Sequence, residues 1–345
     1  MVAEYDGLLV LSFGGPDNPD DVMPFLENVT RGRGVPRERL LEVAEHYYHF
    51  GGKSPINDQN RELIAELEAE LERSGIRMPV YWGNRNWHPL LPDTLRRMQS
   101  DGIRNALVLV TSAWGVYSGC RQYREDMGKA RAEVGPHAPL LTKIRHFNNH
   151  PGFIEAMADR VRAALLEMPE AGRAQTRILF TAHSVPQWMA NSPYPRQVQE
   201  ACNLVALRLK HFLYRQVWQS RSGPPGQPWL EPDILDAIRD LHANGNASHL
   251  VIAPIGFISD HMEVVYDLDT EARDLCAGLG IRMVRAATVG THHRFIRGLR
   301  ELIEERLDGR PEAAPGPDET PERCWDGCCT TPPPRPPHGG RPTAG

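Results

Sequence analysis

The sequence predicts an α/β fold: two Rossmann-like, doubly wound halves, each a four-stranded parallel sheet flanked by helices, with a cleft between them. Three observations predict it. Short apolar runs alternate with helix-period stretches along the chain, the pattern of parallel strands joined by crossover helices. The alternation occurs twice, once up to Lys143 and again from Arg177. Glycine, histidine and acid gather just after the apolar runs, where doubly wound sheets bind their ligands.

The elements follow in order. GLLVLSF, Gly7 to Phe13, reads as a strand ending in Gly14 and Gly15. DDVMPFLENV and RERLLEVAEHYYHF read as helices, and NRELIAELEAELERSG carries apolar residues at helical spacing until Gly75 stops it. MPVYWGN is a second strand, LPDTLRRMQSDG a helix and NALVLVTSA a third strand. HPGFIEAMADRVRAALLEM is a long helix that would join the halves. Beyond it, TRILFTAHS, LYRQVWQS, HLVIAPI and IRMVRAAT read as strands. PRQVQEACNLVALRLK, EPDILDAIRDLHANG and HRFIRGLRELIEERL read as the helices between and after them. The expected limits are residues 1–149 and 150–308, with helix 150–168 as the link, followed by a cysteine-containing, Pro-rich tail at 309–345. The end of that tail, TTPPPRPPHGGRPTAG, has the composition of a partly disordered or polyproline-like segment.

Composition excludes several classes of function. The 345 residues suffice for a real core, and the net charge of −5 comes with both signs well mixed. That is no footprint for nucleic acid. No apolar run approaches the roughly 20 residues of a spanning helix, so no transmembrane segment is expected. The N-terminus, MVAEYDGLLVLSFGG, has an acidic flank where a secretory signal needs a basic one, so the cytoplasm is the expected compartment. The six cysteines are too sparse for a disulfide scaffold. Three of them, Cys324, Cys328 and Cys329, cluster in CWDGCC, and Cys120 in YSGCRQY could supply a fourth thiolate from a post-strand loop. Four thiolates suit zinc or an iron–sulfur cluster. The C-x3-C-C spacing matches no standard zinc finger, and free tail thiols are the alternative.

The densest chemistry lies in GFISDHMEVVYDLDTEA, Gly256 to Ala272. If the segment is helical from Asp260, Glu263, Asp267 and Glu271 stand at i, i+4 and i+8. They then share one side, drifting by roughly 40° per step. A local π-turn would bring them nearer to one column, and such turns often mark functional sites. A column of oxygen ligands suits a divalent cation or a proton relay. A solvated acidic face is the plainer alternative, but Met262, Val264, Val265 and Leu268 cover much of the remaining surface. Asp269 points off the column and is expected to be solvated. His183, in FTAHSVP, falls at the end of another strand. A neutral imidazole there can accept a proton or bind a metal, or it can simply cap the loop.

The glycine-rich turns VLSFGGPD and FGGKSPIN lack a dinucleotide or P-loop fingerprint. They suit close approach of backbone to a flat ligand, and Phe13, Tyr48, Trp87, Trp114 and Tyr123 lie nearby, with core packing as the alternative. Arg31, Arg33, Lys53, Arg121 and Arg124 fall in or near loops. A guanidinium fork binds carboxylates, though each of these cations alone reads as solvated surface.

Together these motifs resemble one family, the ferrochelatases, soluble bacterial enzymes of the actinobacterial type in particular. The resemblance spans LLVLSFGGPDNPDDVMPFLENVTRGRGVP, HYYHFGGKSPIN, TSAWGVYSGCRQYRED, TAHSVP, VWQSRSGPPGQPWLEP and PIGFISDHMEVVYDLDTEA. It implies insertion of ferrous iron into a porphyrin, coproporphyrin III or protoporphyrin IX, with release of two protons. It implies His183 as the active-site histidine and Glu263 as the glutamate facing it across the porphyrin, both touching the substrate iron. Asp267 and Glu271 would form the acidic path behind. Phe13, Arg31, Tyr48, Ser54, Tyr123 and Trp229 would contact the porphyrin, with Tyr48 and His49 standing where many relatives carry propionate-binding arginines. The resemblance also implies a [2Fe–2S] cluster on Cys120, Cys324, Cys328 and Cys329, away from the cleft. Transient contact with neighbouring haem-pathway enzymes is a further expectation. The alternatives are a cobalt chelatase of related tetrapyrrole metabolism and a non-catalytic porphyrin or haem carrier.

Overall fold

The computed structural model describes residues 5–223, 226–245 and 247–309. Among these, eight strands form two four-stranded sheets. The first holds β1 (Gly7–Ser12), β2 (Val80–Asn84), β3 (Asn105–Val110) and β4 (Leu140–Lys143), in the order β2-β1-β3-β4. The second holds β5 (Arg177–His183), β6 (Tyr214–Gln219), β7 (His249–Ala253) and β8 (Arg282–Arg285), in the order β6-β5-β7-β8. Every pairing is parallel. The two halves thus repeat one topology, each with its chain reversal beside its first strand, where ligands of doubly wound sheets bind. The expected fold class is the observed one.

Parallel strands buried on both faces need apolar residues at every position, and β1 supplies them. Leu8 and Val10 enter the largest core cluster, whereas Leu9 and Leu11 enter a second one on the opposite face. β5 follows the same alternation: Ile178, Phe180 and Ala182 share the largest cluster, and Leu179 lies on the other face. Strand periodicity puts Thr181 and His183 on that second face, the side covered by Val264 and Leu268. The sheet thereby aims His183 at the acidic helix.

The largest cluster belongs to both halves. It joins Leu8, Leu63, Leu67 and Leu71 to Phe153, Phe180, Phe295, Leu299 and Leu302. Helix Pro151–Leu166 runs through it against helix His293–Leu307. The two helices approach at glycines: a Cβ on Gly152 would lie 2.6 Å from the Arg294 carbonyl oxygen and 2.9 Å from the Gly298 Cα. A buried fork closes the same joint, with Arg145 Nε and Nη2 donating to Glu305 at 2.8 and 2.9 Å.

Two elements depart from the sequence reading. Helix Gln122–Val134 was not expected, and the fourth strand of the first sheet, β4, was not located in the sequence. The helix buries only Tyr123, Met127 and Ala130, too thin a stripe to stand out among charges. Strand β4 is four residues long and only half-buried, which leaves a weak signal. The expected post-strand loop around Cys120 is instead a π-helical turn, Tyr117–Arg121, running into that helix. No helix among the described residues is long and apolar enough to cross a membrane.

Between β1 and β2 stand three helices, Pro19–Val29, Arg37–His49 and Ile56–Arg73. The first two make a satellite core from Val22, Phe25, Leu26, Leu40 and Ala44. Helix Arg37–His49 then reaches the other half, where His46 stacks on Tyr266 with ring centroids 3.7 Å apart.

Candidate active site

The chain that leaves β7 turns back onto β5 at Gly256. A Cβ there would lie 2.5 Å from the Ala182 Cα, so only glycine permits the contact. The Gly256 N–H donates to the Thr181 carbonyl at 2.9 Å, and Trp114 Nε1 of the first half donates to the Gly256 carbonyl at 2.8 Å. The turn fixes the start of helix Met262–Tyr266 beside the end of β5. Glu263 Oε2 then lies 3.4 Å from His183 Nε2 and 3.8 Å from His261 Nδ1. His183 Nδ1 makes a short hydrogen bond with the Ser184 carbonyl. Only a protonated Nδ1 can donate to a carbonyl, so Nε2 is the atom turned to Glu263. Tyr194 holds the strand end by donating its hydroxyl to the His183 carbonyl at 2.9 Å.

Charge is divided sharply in this pair. Burial pushes the His183 imidazolium down, but the Glu263 carboxylate and the Ser184 carbonyl outweigh it and raise His183 to about 9. Burial pushes Glu263 up, but His183 and then His261 outweigh it and hold Glu263 at about 2. The resting pair is therefore imidazolium and carboxylate. Burial, with the charge on His183, lowers His261.

The acidic helix contains a π-helical stretch, Asp267–Ala272, so the local turn that would align the column is present. Asp267 accepts from Ser220 Oγ at 2.5 Å and from Gln219 Nε2 at 3.3 Å. Burial raises Asp267 to about 7, with the Ser220 hydrogen bond opposing and the charges of Glu263 and Glu271 adding. Burial and then Asp233 raise Glu271. Behind Glu263, which is ionised, stands a carboxyl that exchanges its proton near neutrality.

His183 and Glu263 are in direct contact at 3.4 Å. One expectation is corrected here. Asp269 is off the column but is not solvated: its side chain is 16% exposed and binds Arg285 at 2.8 Å and Arg273 at 3.0 Å. Arg285 also forks onto Asp260 at 3.1 and 3.3 Å, so Asp260 and Asp269 brace the helix from β8.

The remaining sequence candidates scatter. Phe13 is exposed after β1, edge-on to Phe25, with the Arg85 guanidinium 5.9 Å from its ring. Arg31 is exposed in the loop that precedes helix Arg37–His49, and Tyr48 is exposed in the last turn of that helix. Ser54 is buried against Gly15, its amide donating to the Pro16 carbonyl at 2.9 Å. Tyr123 is buried under Arg85, 4.5 Å from the guanidinium, which itself pairs with Asp126 at 2.6 Å. Trp229 is buried on Gly223 and linked to the His183 loop by Gln187, which donates to the Trp229 carbonyl at 3.0 Å. Cys120 is buried and free of disulfide, whereas Cys324, Cys328 and Cys329 lie outside the described residues. Among the described residues, no three His, Cys, Asp or Glu side chains cluster as a metal site.

The sequence reading missed Gln219, Ser220 and His46. The first two had a signal: VWQS ends a strand just as FTAH does, and the register sets Gln219 beside His183. His46 had none, because its partner lies in the other half.

A family profile described as Ferrochelatase matches residues 5–307. A protein from Rhodopirellula baltica named "Ferrochelatase" is 54% identical over 98% of this chain and 97% of its own length. A protein from Nocardia farcinica named "Coproporphyrin III ferrochelatase" is 54% identical over 97% of this chain and 99% of its own. Among solved structures, the sirohydrochlorin chelatase SirB from Bacillus subtilis subspecies spizizenii, in complex with cobalt, aligns with a TM-score of 0.55 at 9% identity, covering 89% of this chain and 97% of that one. The last likeness concerns the fold alone. With the profile spanning nearly all of the described chain and relatives of this identity matching end to end, the chain belongs to the ferrochelatase family.

Proposed function

We propose that this enzyme inserts ferrous iron into coproporphyrin III in haem synthesis, with His183 and Glu263 as the catalytic pair. The observation that carries the reading is the 3.4 Å contact between them at the strand ends, with an exchangeable carboxyl directly behind. Insertion must remove two pyrrole protons. His183 rests as imidazolium, so it becomes a base only after passing its proton on. Asp267 takes that proton, and Glu271 returns it towards solvent. The exposed Phe13, Tyr48 and Arg31 are read as porphyrin contacts, and the buried Ser54, Tyr123 and Trp229 as the walls behind them. Coproporphyrin III carries four propionates and protoporphyrin IX two. The exposed Arg31 suits the richer anion, and relatives at this level of identity bear that substrate in their names.

The test mixes purified enzyme, ferrous iron and each porphyrin without oxygen and follows absorbance. Faster insertion into coproporphyrin III is expected. Equal or reversed preference overturns the substrate, and no insertion into either porphyrin overturns the reaction.

We read the chain as two halves, 1–149 and 150–308, with the tail 309–345 supplying Cys324, Cys328 and Cys329 to a [2Fe–2S] cluster. Cys120 fits such a ligand: it is buried and not in a disulfide. Thiolates hold such a cluster and set its potential. Visible absorbance and iron content are expected to fall together in Cys120→Ser and in Cys328→Ser; an unchanged spectrum moves the ligands elsewhere. The same reading places the enzyme in the cytoplasm, in transient contact with its pathway neighbours. The exposed aromatics Phe13 and Tyr48 suit the handover of a flat apolar ring.

A further inference from the structure

We propose that Ser220 is a positioning residue that presents the Asp267 carboxyl to Glu263, and that it governs the use of iron without contributing to porphyrin binding. The inference rests on Asp267 belonging to the path behind Glu263.

Three independent features converge on it. The first is backbone strain. Ser220 has φ of 61°, and Lys210 is the one other non-glycine residue at positive φ among the described residues. Lys210 is explained as a left-handed helix cap. Ser220 caps nothing: it sits one residue past β6. A non-glycine residue in this conformation is disfavoured and persists where the surroundings hold it, often at functional sites.

The second feature is what the strained conformation achieves. It delivers the hydroxyl to Asp267 Oδ2 at 2.5 Å. Gln219 Nε2 approaches the same oxygen at 3.3 Å and the Glu263 carbonyl at 3.4 Å. Two donors from the end of one strand thus hold one carboxyl oxygen and the backbone of the catalytic residue. Both contacts fall on Oδ2, which leaves Oδ1 for exchange.

The third feature is an orphan. Gln219 is fully buried, yet its Oε1 has no hydrogen-bond partner among the described residues. A buried acceptor without a donor costs stability. The register sets it beside His183, within a group that already contains Glu263 and Asp267. An acceptor in such company suits a hydrated cation as its partner, and the cation this reaction brings is ferrous iron.

The experiment compares Ser220→Ala with Ser220→Gly. Alanine deletes the hydroxyl and keeps the Cβ strain; glycine deletes the hydroxyl and relieves it. Both variants are expected to lose on the order of tenfold in kcat/KM for iron, as befits loss of a hydrogen bond to a carboxylate. Porphyrin affinity, read by fluorescence quenching, is expected to stay within twofold of the wild type, about the change a remote surface substitution brings. Normal kcat/KM for iron in either variant overturns the proposal, since the effect would then be absent or due to strain. A parallel loss of porphyrin affinity also overturns it. Failure of the wild type to insert iron at all would instead fault the proposed function.

Discussion

Replacing His183 by alanine is expected to slow iron insertion by about a thousandfold, the usual reach of a general base, with little change in melting temperature. Glu263→Gln should slow it comparably and also change the imidazole. Burial is the largest single influence on His183 and acts downward. Once the carboxylate is gone, the His183 pKa should fall from about 9 to below 6.5, as read by an NMR titration. A value still near 9 would show that Glu263 is not what charges the ring.

The pH dependence follows with a definite sign. His183 is raised above its ordinary 6.5, so its share of stability is complete below that pH and disappears as pH rises through about 9. Glu263 is held below its ordinary 4.5, so its share is complete above that pH and disappears as pH falls towards about 2. The pair thus steadies the fold most between 4.5 and 6.5. Activity runs the other way at the alkaline end, because the free base appears only as His183 loses its proton. The kcat/KM profile is expected to climb up to about pH 9 in the wild type and to flatten in Glu263→Gln.

Glu305→Ala is expected to be the most destabilising simple substitution at the joint between the halves. The side chains of Arg145 and Glu305 are only 8% and 15% exposed, and their fork is bidentate. Removing the acid strands a buried guanidinium, at a cost of about 3–5 kcal/mol. Replacing both partners together, as Arg145→Met with Glu305→Leu, removes the unpaired charge and should recover most of the loss. Urea midpoints of the three proteins check this. A single variant that melts like the wild type would show that water reaches Arg145.

Much of the site was legible because strands and helices announce their ends. ILF and LVIAPI are continuous apolar runs, so His183 and the acids fall after strands by simple counting. The spacing of Glu263, Asp267 and Glu271 was visible for the same reason. What escaped depends on contacts between distant segments. Asp269 looked solvated because Arg285, sixteen residues on, gives no local sign of reaching back to it. The direct touch of His183 and Glu263 follows from Gly256 lying on Ala182, and neighbouring strands do not state their spacing in sequence. Helix Gln122–Val134 was hidden by its charge, and β4 by its shortness.

The shared core bears on how the protein is made. Leu63, Leu67 and Leu71 of helix Ile56–Arg73 pack in one cluster with Leu299, Leu302 and Ile303, and Arg300 binds Glu70 at 3.0 Å across the same contact. On a translating ribosome, these leucines emerge long before their cover. The first half therefore carries an uncovered apolar stripe until helix His293–Leu307 is released.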